Sequence, residues 1–457
     1  MARRGPIEHG SGVRPRAGRW RGVGEGGRPR GIIVYRGRAA THLAGRPGGG
    51  GEVTGSIGSS SRGAGNLGGG GIPPPGERRF VPDEVLVEFQ PHVSPEAIAA
   101  LARTFNLTQI ESQSFRLIGG VTFYRWRIGG GRSVPAVVAA LQNQGIVASV
   151  QPNYVYALQE KIQDRPGMAG DPAQYVLQTL QVQQAQQLAT GKKVMVAVID
   201  SAIDATHPDL GGSIVKTFDA IGGGGQPQQH GTAMAGAIAA HGKLLGIAPD
   251  AQILAARAFD ASAGEAKGTS FAIYKCLQWA ANNAARVVNM SFVGPADPAL
   301  HRMLAAAYEN GIVLIAAGGN GGAYAGPQYP AADPNVIAVT ATNAKDGLFS
   351  LDNRNQYIAI AAPGVDILAL APGDAYQFTS GTSIAAAHVS AVAALLLERQ
   401  PMLKPRDVRA ILASTAKRLD PSQHGGFGPG LVNAYRAVAA LDAKTVGTDA
   451  LHEQAKQ

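Results

Sequence analysis

The chain reads as an α/β protein built on a mostly parallel sheet with helices on both faces, preceded by a smaller α+β domain. Two observations point there. From Gln174 onward, short apolar runs alternate with amphipathic or apolar stretches of helical length, the signature of strands joined by crossover helices. Before that, residues 80–158 follow a strand, helix, strand, strand, helix, strand order. A third observation sets the border: residues 1–79 hold 14 of the 41 Lys and Arg but 4 of the 32 Asp and Glu, so the tail carries +10 and the rest of the chain −1.

The elements follow from local chemistry. Glu84 to Phe89 alternates like a half-buried strand. Ser94-Pro95-Glu96 supplies a cap, a first-turn proline and an acid at the positive end of a helix over Ala97 to Phe105. Leu107 to Phe115 and Val121 to Ile128 flank a Gly119-Gly120 turn, a second Ser-x-Pro start at Ser133 opens Ala136 to Leu141, and Val147 to Leu158 returns as a strand. This βαββαβ order predicts a ferredoxin-like sheet. In the larger region, strands are expected at 193–199, 252–256, 285–290, 312–316 and 336–340, and helices at 230–240, 269–283, 298–310, 383–399 and 405–415.

Composition limits the rest. The Gly- and Arg-rich tail has too little apolar surface to offset ordering entropy and is expected to be disordered. With Trp20 and Tyr35 as its only large aromatics for stacking, no specific nucleic-acid binding is predicted. A secretory signal needs an apolar core of about 7–15 residues, and the best run in the tail is Ile32 to Tyr35. No uninterrupted apolar stretch reaches the roughly 20 residues of a membrane span. Cys276 is the single cysteine and falls in a helical pattern, so it forms no internal disulfide and reads as a small buried hydrophobe.

Three segments carry chemistry. Val198-Ile199-Asp200 ends an apolar run that begins at Val194, so its carboxylate sits at a strand end. His230-Gly231-Thr232 and Gly381-Thr382-Ser383 each begin a helix. A serine hydroxyl attacks a carbonyl only if an imidazole takes its proton, and that imidazole works best when a carboxylate fixes its tautomer. Asp200, His230 and Ser383 fit those roles, and at separations of 30 and 153 positions only a fold can gather them. The negative oxygen that develops needs donors. Asn320, after the apolar run Ile312 to Ala317 and Gly318-Gly319, is one; the backbone N–H of Ser383, opening its helix, is the other.

In order and neighbourhood these segments resemble the subtilases, the subtilisin-like serine proteases. The resemblance implies a serine endopeptidase acting through an acyl-enzyme on extended polypeptide, a subtilisin-like catalytic domain over 174–442 and a C-terminal tail over 443–457. It also implies that 80–158 is a propeptide, an intramolecular chaperone and inhibitor bound in cis, released by self-cleavage in a linker over 159–173. Asn320 then lines the oxyanion hole. Ser291, Phe292, Val293, Gly294, Gly318, Gly319 and Gln328 match segments that bind substrate, with Val293 narrowing subsites where many relatives have Gly, and Gln328 placing an amide at the floor of the primary pocket. Ala387 stands where relatives commonly carry Pro. Asp204 and Asp209 resemble acidic calcium ligands, and secreted relatives often hold calcium in a loop after the catalytic histidine, but Ala239 to Leu245 is too short and poor in oxygen ligands, so no strong calcium site, metal or other cofactor is expected, with weaker calcium binding elsewhere left open. His207 and His388 read as packing or hydrogen-bonding residues. The resemblance favours an extracytoplasmic monomer. A degenerate relative acting only as a peptide-binding module is the alternative, against which the intact Asp, His, Ser and Asn set speaks.

Overall fold

The computed structural model describes residues 71–159, 174–260, 266–420 and 426–442, together with the backbone of 161–166. The tail through residue 70, the linker residues 167–173 and the C-terminal tail lie outside the described residues.

The N-terminal domain comprises β1 (Phe80–Phe89), α1 (Pro95–Thr104), β2 (Leu107–Phe115), β3 (Val121–Ile128), α2 (Val134–Gln142) and β4 (Val147–Leu158). Its strands pair antiparallel in the order β2-β3-β1-β4, the ferredoxin-like arrangement. The Ser94 hydroxyl caps α1 by accepting from Ala97 N at 3.3 Å. Ser133 caps α2 by position alone, its hydroxyl making no capping bond. One sheet face packs Val85, Val87 and Trp126 against Leu101, Val138 and Leu141 of the two helices. The other presents Leu86, Phe115, Phe123 and Tyr154 to the core of the next domain. Glu84 to Phe89 therefore departs from its half-buried expectation: residues 84–88 are all buried, because both faces are covered.

After β5 (Lys161–Pro166), the chain enters α3 (Tyr175–Thr179), α4 (Val182–Gln186), β6 (Met195–Asp200), β7 (Ile214–Asp219), α5 (Gln229–Ala239), β8 (Gln252–Arg257), β9 (Phe259–Asp260), β10 (Lys267–Thr269), α6 (Ser270–Asn282), β11 (Val287–Met290) and β12 (Phe292–Val293). There follow α7 (Pro298–Glu309), β13 (Val313–Ala317), β14 (Val336–Thr342), β15 (Ile358–Pro363), β16 (Ile367–Ala371), β17 (Ala375–Ser380), α8 (Thr382–Arg399) and α9 (Pro405–Thr415). Seven strands form one parallel sheet in the order β15-β14-β13-β11-β6-β8-β7. Its five inner strands are those expected from sequence. The edges β7 and β15 were not, since β7 is largely exposed and carries no apolar run, and Ile358-Ala359-Ile360-Ala361-Ala362 is too alanine-rich to declare itself. Helix α8 is buried from Thr382 to Leu397 and runs unbroken through Ala387. Its apolar length would suit a membrane span, but 89% of it lies inside the core.

The two domains meet through β4 and two helices. Phe115 stacks edge-on to Phe271 and Tyr274 of α6 at 6.0 and 6.1 Å. Two amides of β4 serve helix N-termini, whose first N–H groups lack internal partners. Asn153 Oδ1 accepts from Phe271 N at 3.2 Å in α6, and Gln151 Oε1 from Ala299 N at 3.1 Å in α7. Gln151 Nε2 also donates to Asp297, which accepts from Tyr274, Ser270 and Leu300 N as well. Salt bridges Arg302–Glu88 and Lys275–Glu111 lie farther out.

Burial shifts Asp352 and His388 of the catalytic domain in opposite directions. Burial pushes the Asp352 carboxyl up to about 7, although it accepts from Ala341 N. Burial lowers His388 to about 4, and its Nδ1 bonds the Pro363 carbonyl. The folded Asp352 keeps a proton that the unfolded chain loses from pH ~4 upward, so its stabilising effect fades as pH rises to about 7. His388 acts oppositely, since the unfolded chain takes up a proton as pH falls from ~6.5 toward 4. The two offset one another between pH ~4 and 6.5. Asp352→Asn removes one side of that balance; in a chain also carrying Ser383→Ala, denaturant titration should then show an added loss of stability on the order of 1 kcal/mol per unit on acidification through this window, relative to the chain that keeps Asp352. For the interface, Gln151→Leu strands Ala299 N and removes a donor from buried Asp297. In a chain also carrying Ser383→Ala, it should lower unfolding free energy by about 1–3 kcal/mol, measured by denaturant unfolding.

Candidate active site

Asp200 is the last residue of β6, at the carboxyl edge of the sheet where side chains of open α/β folds converge on ligands. Its carboxylate accepts from Ser201 N at 2.7 Å and from His230 Nδ1 at 2.7 and 2.9 Å to its two oxygens. A carboxylate is an acceptor only, so Nδ1 carries the proton and Nε2 is left as the basic nitrogen. His230 lies in the first turn of α5, whose position is set by Gly231: its N–H donates to Ser201 Oγ at 3.0 Å, and a Cβ there would stand 2.5 Å from the Ser201 carbonyl.

Ser383 lies in the first turn of α8. Its Oγ is 3.2 Å from two carbonyl oxygens, those of Ser291 and Gln159. One hydroxyl proton serves one of them at a time. The hydroxyl is thus turned toward these carbonyls rather than bonded to His230. Beneath it runs a buried chain: Ser390 Oγ donates to Asn289 Oδ1, Asn289 Nδ2 to Ser291 Oγ, and Ser291 Oγ to the Ser383 carbonyl at 2.9 Å. This ties the start of α8 to the end of β11.

Asn320 follows β13. Its Oδ1 accepts from both Thr382 N (3.0 Å) and Thr382 Oγ1 (2.9 Å), which fixes the amide so that Nδ2 must point the other way. There it donates to the Gln159 carbonyl at 2.8 Å. Asn353 braces the same turn, donating from Nδ2 to Gly318 O and accepting at Oδ1 from Gly321 N. Thr382, Asn353 and Gln159 were not singled out from sequence. Their roles come from contacts across 62, 32 and 161 positions, which no local pattern announces.

The chain leading to Gln159 lies as a strand in the cleft. Residues 155–157 pair antiparallel with β10 on one side, and Leu158 and Ala157 pair with Phe292 and Val293 of β12 on the other. Beyond the site, β5 pairs antiparallel with β17. Tyr156 is fully buried edge-on to Phe292 at 5.8 Å, and its hydroxyl donates to Pro295 O. Gly294 makes room for that ring, since a Cβ would come 2.2 Å from it. Phe292, Val293 and Gly294 thus lie against the extended segment. Ser291 bonds to Ser383. The N–H groups of Gly318 and Gly319 go to Val339 O and Thr382 Oγ1, and the extended segment meets the next amide, that of Asn320. Gln328 packs on Gly319 and accepts from Arg79 at 3.4 Å.

The remaining polar residues have structural partners. Asp209 accepts from Lys243 N and Leu244 N, and Asp204 from Thr206 and Gly373 N. Burial raises the Asp204 carboxyl, but the bonds from Gly373 and Thr206 outweigh it and leave the group below the usual range. His207 packs edge-on to Tyr376, and Cys276 is buried with its thiol pushed up by desolvation. Among the described residues, no three His, Cys, Asp or Glu are grouped to hold a metal ion.

Comparison with known proteins agrees with this geometry. Residues 191–430 match the Subtilase family, and residues 69–153 match the fervidolysin N-terminal prodomain. The chain is 32% identical over 368 residues to a thermophilic serine proteinase of Bacillus sp. (strain AK1), covering 79% of this chain and 88% of that protein. It is 35% identical over 274 residues to thermitase of Thermoactinomyces vulgaris, covering 58% and 95%. Among solved structures, fervidolysin from Fervidobacterium pennivorans, a keratinolytic enzyme related to subtilisin, superposes with a TM-score of 0.66 at 24% identity, over 79% of this chain and 61% of that one, a likeness of fold. With a family match across its catalytic domain and a prodomain match ahead of it, the chain belongs to the subtilases, the subtilisin-like serine peptidases.

Proposed function

We propose that the protein is a serine endopeptidase made as a precursor, and that its first substrate is its own Gln159–Glu160 bond. The observation that carries this is the Gln159 carbonyl, gripped at 2.8 Å by Asn320 Nδ2 and 3.2 Å from the Ser383 hydroxyl, at the end of a strand paired on both sides. That is the position an acyl group takes before attack.

In this reading, a rotation about the Ser383 Cα–Cβ bond turns Oγ toward His230. Nε2 takes the hydroxyl proton, Oγ bonds to the Gln159 carbonyl carbon, and the carbonyl oxygen becomes an oxyanion held by Asn320 Nδ2 and the Ser383 N–H. Asp200 steadies the imidazolium. The proton then passes to the Glu160 nitrogen as the C–N bond breaks, leaving a Gln159 ester on Ser383 that water hydrolyses. In this reading the base, the nucleophile and both oxyanion donors all belong to the chain itself. After the prodomain leaves, β10 and β12 are free to pair with other extended polypeptides by the same main-chain ladder.

The unsubstituted chain should release a fragment ending at Gln159 and a product whose first residue is Glu160, read by intact mass and N-terminal sequencing. Ser383→Ala should stay whole and lose labelling by a fluorophosphonate probe. Cleavage of Ser383→Ala at the same bond and rate, or an unlabelled parent, would contradict the reading. Asn320→Ala should slow self-cleavage by about 10²–10³, followed as a time course on gels.

A further inference from the structure

The turn after β13 offers its N–H groups unequally. Gly318 N donates to Val339 O at 2.8 Å, Gly319 N to Thr382 Oγ1 at 3.1 Å, Gly321 N to Asn353 Oδ1 at 3.1 Å and Gly322 N to Leu351 O at 2.8 Å. Four of these five consecutive amides are satisfied by the catalytic domain itself. The fifth, Asn320 N, donates at 2.9 Å to the side-chain Oε1 of Gln159. Asn320 therefore grips one residue twice, its Nδ2 holding the main-chain carbonyl and its N–H holding the side-chain carboxamide. The turn is not free to re-aim that N–H. Gly319 has φ +106°, a conformation that favours glycine, and Asn353 anchors the turn on both sides.

We propose that the primary specificity pocket selects glutamine at the residue whose carbonyl is attacked, reading its carboxamide oxygen with the Asn320 N–H. This rests on the reading of Gln159–Glu160 as the bond cut. A side chain of the same length without an acceptor, such as methionine, displaces water from that N–H and leaves it unpaired, a loss that does not arise for glutamine. Glutamate offers the oxygen but brings a charge. The described groups that fix this turn are backbone amides and carbonyls, Thr382 and Asn353, none of them cationic; Arg79, which donates to the neighbouring Gln328, belongs to the prodomain and leaves with it, so on separate substrates the desolvation of that charge goes uncompensated. Phenylalanine fills space without answering the donor. Geometry also couples recognition to catalysis, because the donor to the side chain and the donor to the oxyanion belong to one residue.

The test has two arms. In the full chain, Gln159→Met and Gln159→Glu are compared with the parent for the rate of self-cleavage. With the self-processed protein, kcat/KM is measured on Tyr-Ala-Leu-X anilides in which X is Gln, Met, Glu or Phe and the first three residues copy 156–158. Expected is slower self-cleavage of both variants, and for the anilides a preference for Gln over Met on the order of tenfold, with Glu and Phe also below Gln. If Met or Phe is cut as fast as Gln while the whole series turns over, glutamine selection is overturned and the endopeptidase reading stands. If no anilide is cut, no fluorophosphonate label is taken up and the parent chain stays whole, the endopeptidase reading falls and glutamine selection falls with it. The Met variant in a Ser383→Ala chain controls for folding: unchanged unfolding beside slowed self-cleavage supports the proposal, whereas destabilisation that accounts for the slowing leaves the anilide ranking to decide.

Discussion

The main-chain ladder of β4 is the interaction on which the arrangement depends. A single twelve-residue strand completes the prodomain sheet through its pairing with β1, then continues between β10 and β12 of the catalytic domain. Because both edges of its last residues are paired, register is fixed, and with it the placement of Gln159. A slip of one residue would turn Tyr156 out of its cavity beside Phe292 and carry the wrong carbonyl to Asn320. Hydrogen bonds of this kind are individually modest. Their effect here is positional, since they set which carbonyl meets Asn320 and the Ser383 hydroxyl.

Parallel-sheet geometry explains why the residues of the candidate site can be gathered at all. Asp200 ends β6, Asn289 and Ser291 lie at the end of β11, Gly318 to Asn320 follow β13, and Asn353 lies in the loop after β14. All emerge at the same edge of one sheet, so residues far apart in sequence become neighbours. Helix α8 enters that edge from beneath with Thr382 and Ser383 in its first turn, held by the Ser390–Asn289–Ser291 chain. The Asn320 amide is oriented by the N–H and hydroxyl of Thr382; in the proposed reaction that preorganisation costs nothing at the moment charge develops.

Sheet and helix make up the catalytic domain, yet the prodomain contributes to how its surface is covered. Helices α6 and α7 present apolar faces and open N-termini that Phe115, Phe123, Gln151 and Asn153 cover. The ferredoxin-like sheet, with both its helices on one face, has a second face that needs the same covering. Each domain buries what the other leaves exposed.

The sequence determined the α/β class, the βαββαβ order and most element bounds, because apolar periodicity, capping residues and glycine turns are local properties. It also determined Asp200, His230, Ser383 and Asn320 as the set to consider, since each stands beside a strand end or helix start that its chemistry requires. Tertiary structure alone decided the rest. The edge strands β7 and β15 lacked a buried face or a distinctive run, and Glu84 to Phe89 looked half-buried until a second domain covered it. Thr382 and Asn353 carry no mark beyond their type, and acquire meaning from the amides they meet across the sheet edge. Gln159 is one polar residue among many in a glutamine-rich stretch, and only the register of β4 brings its carbonyl and its carboxamide to the same asparagine. Such pairings depend on distances in space between residues remote along the chain, and local periodicity holds no record of them.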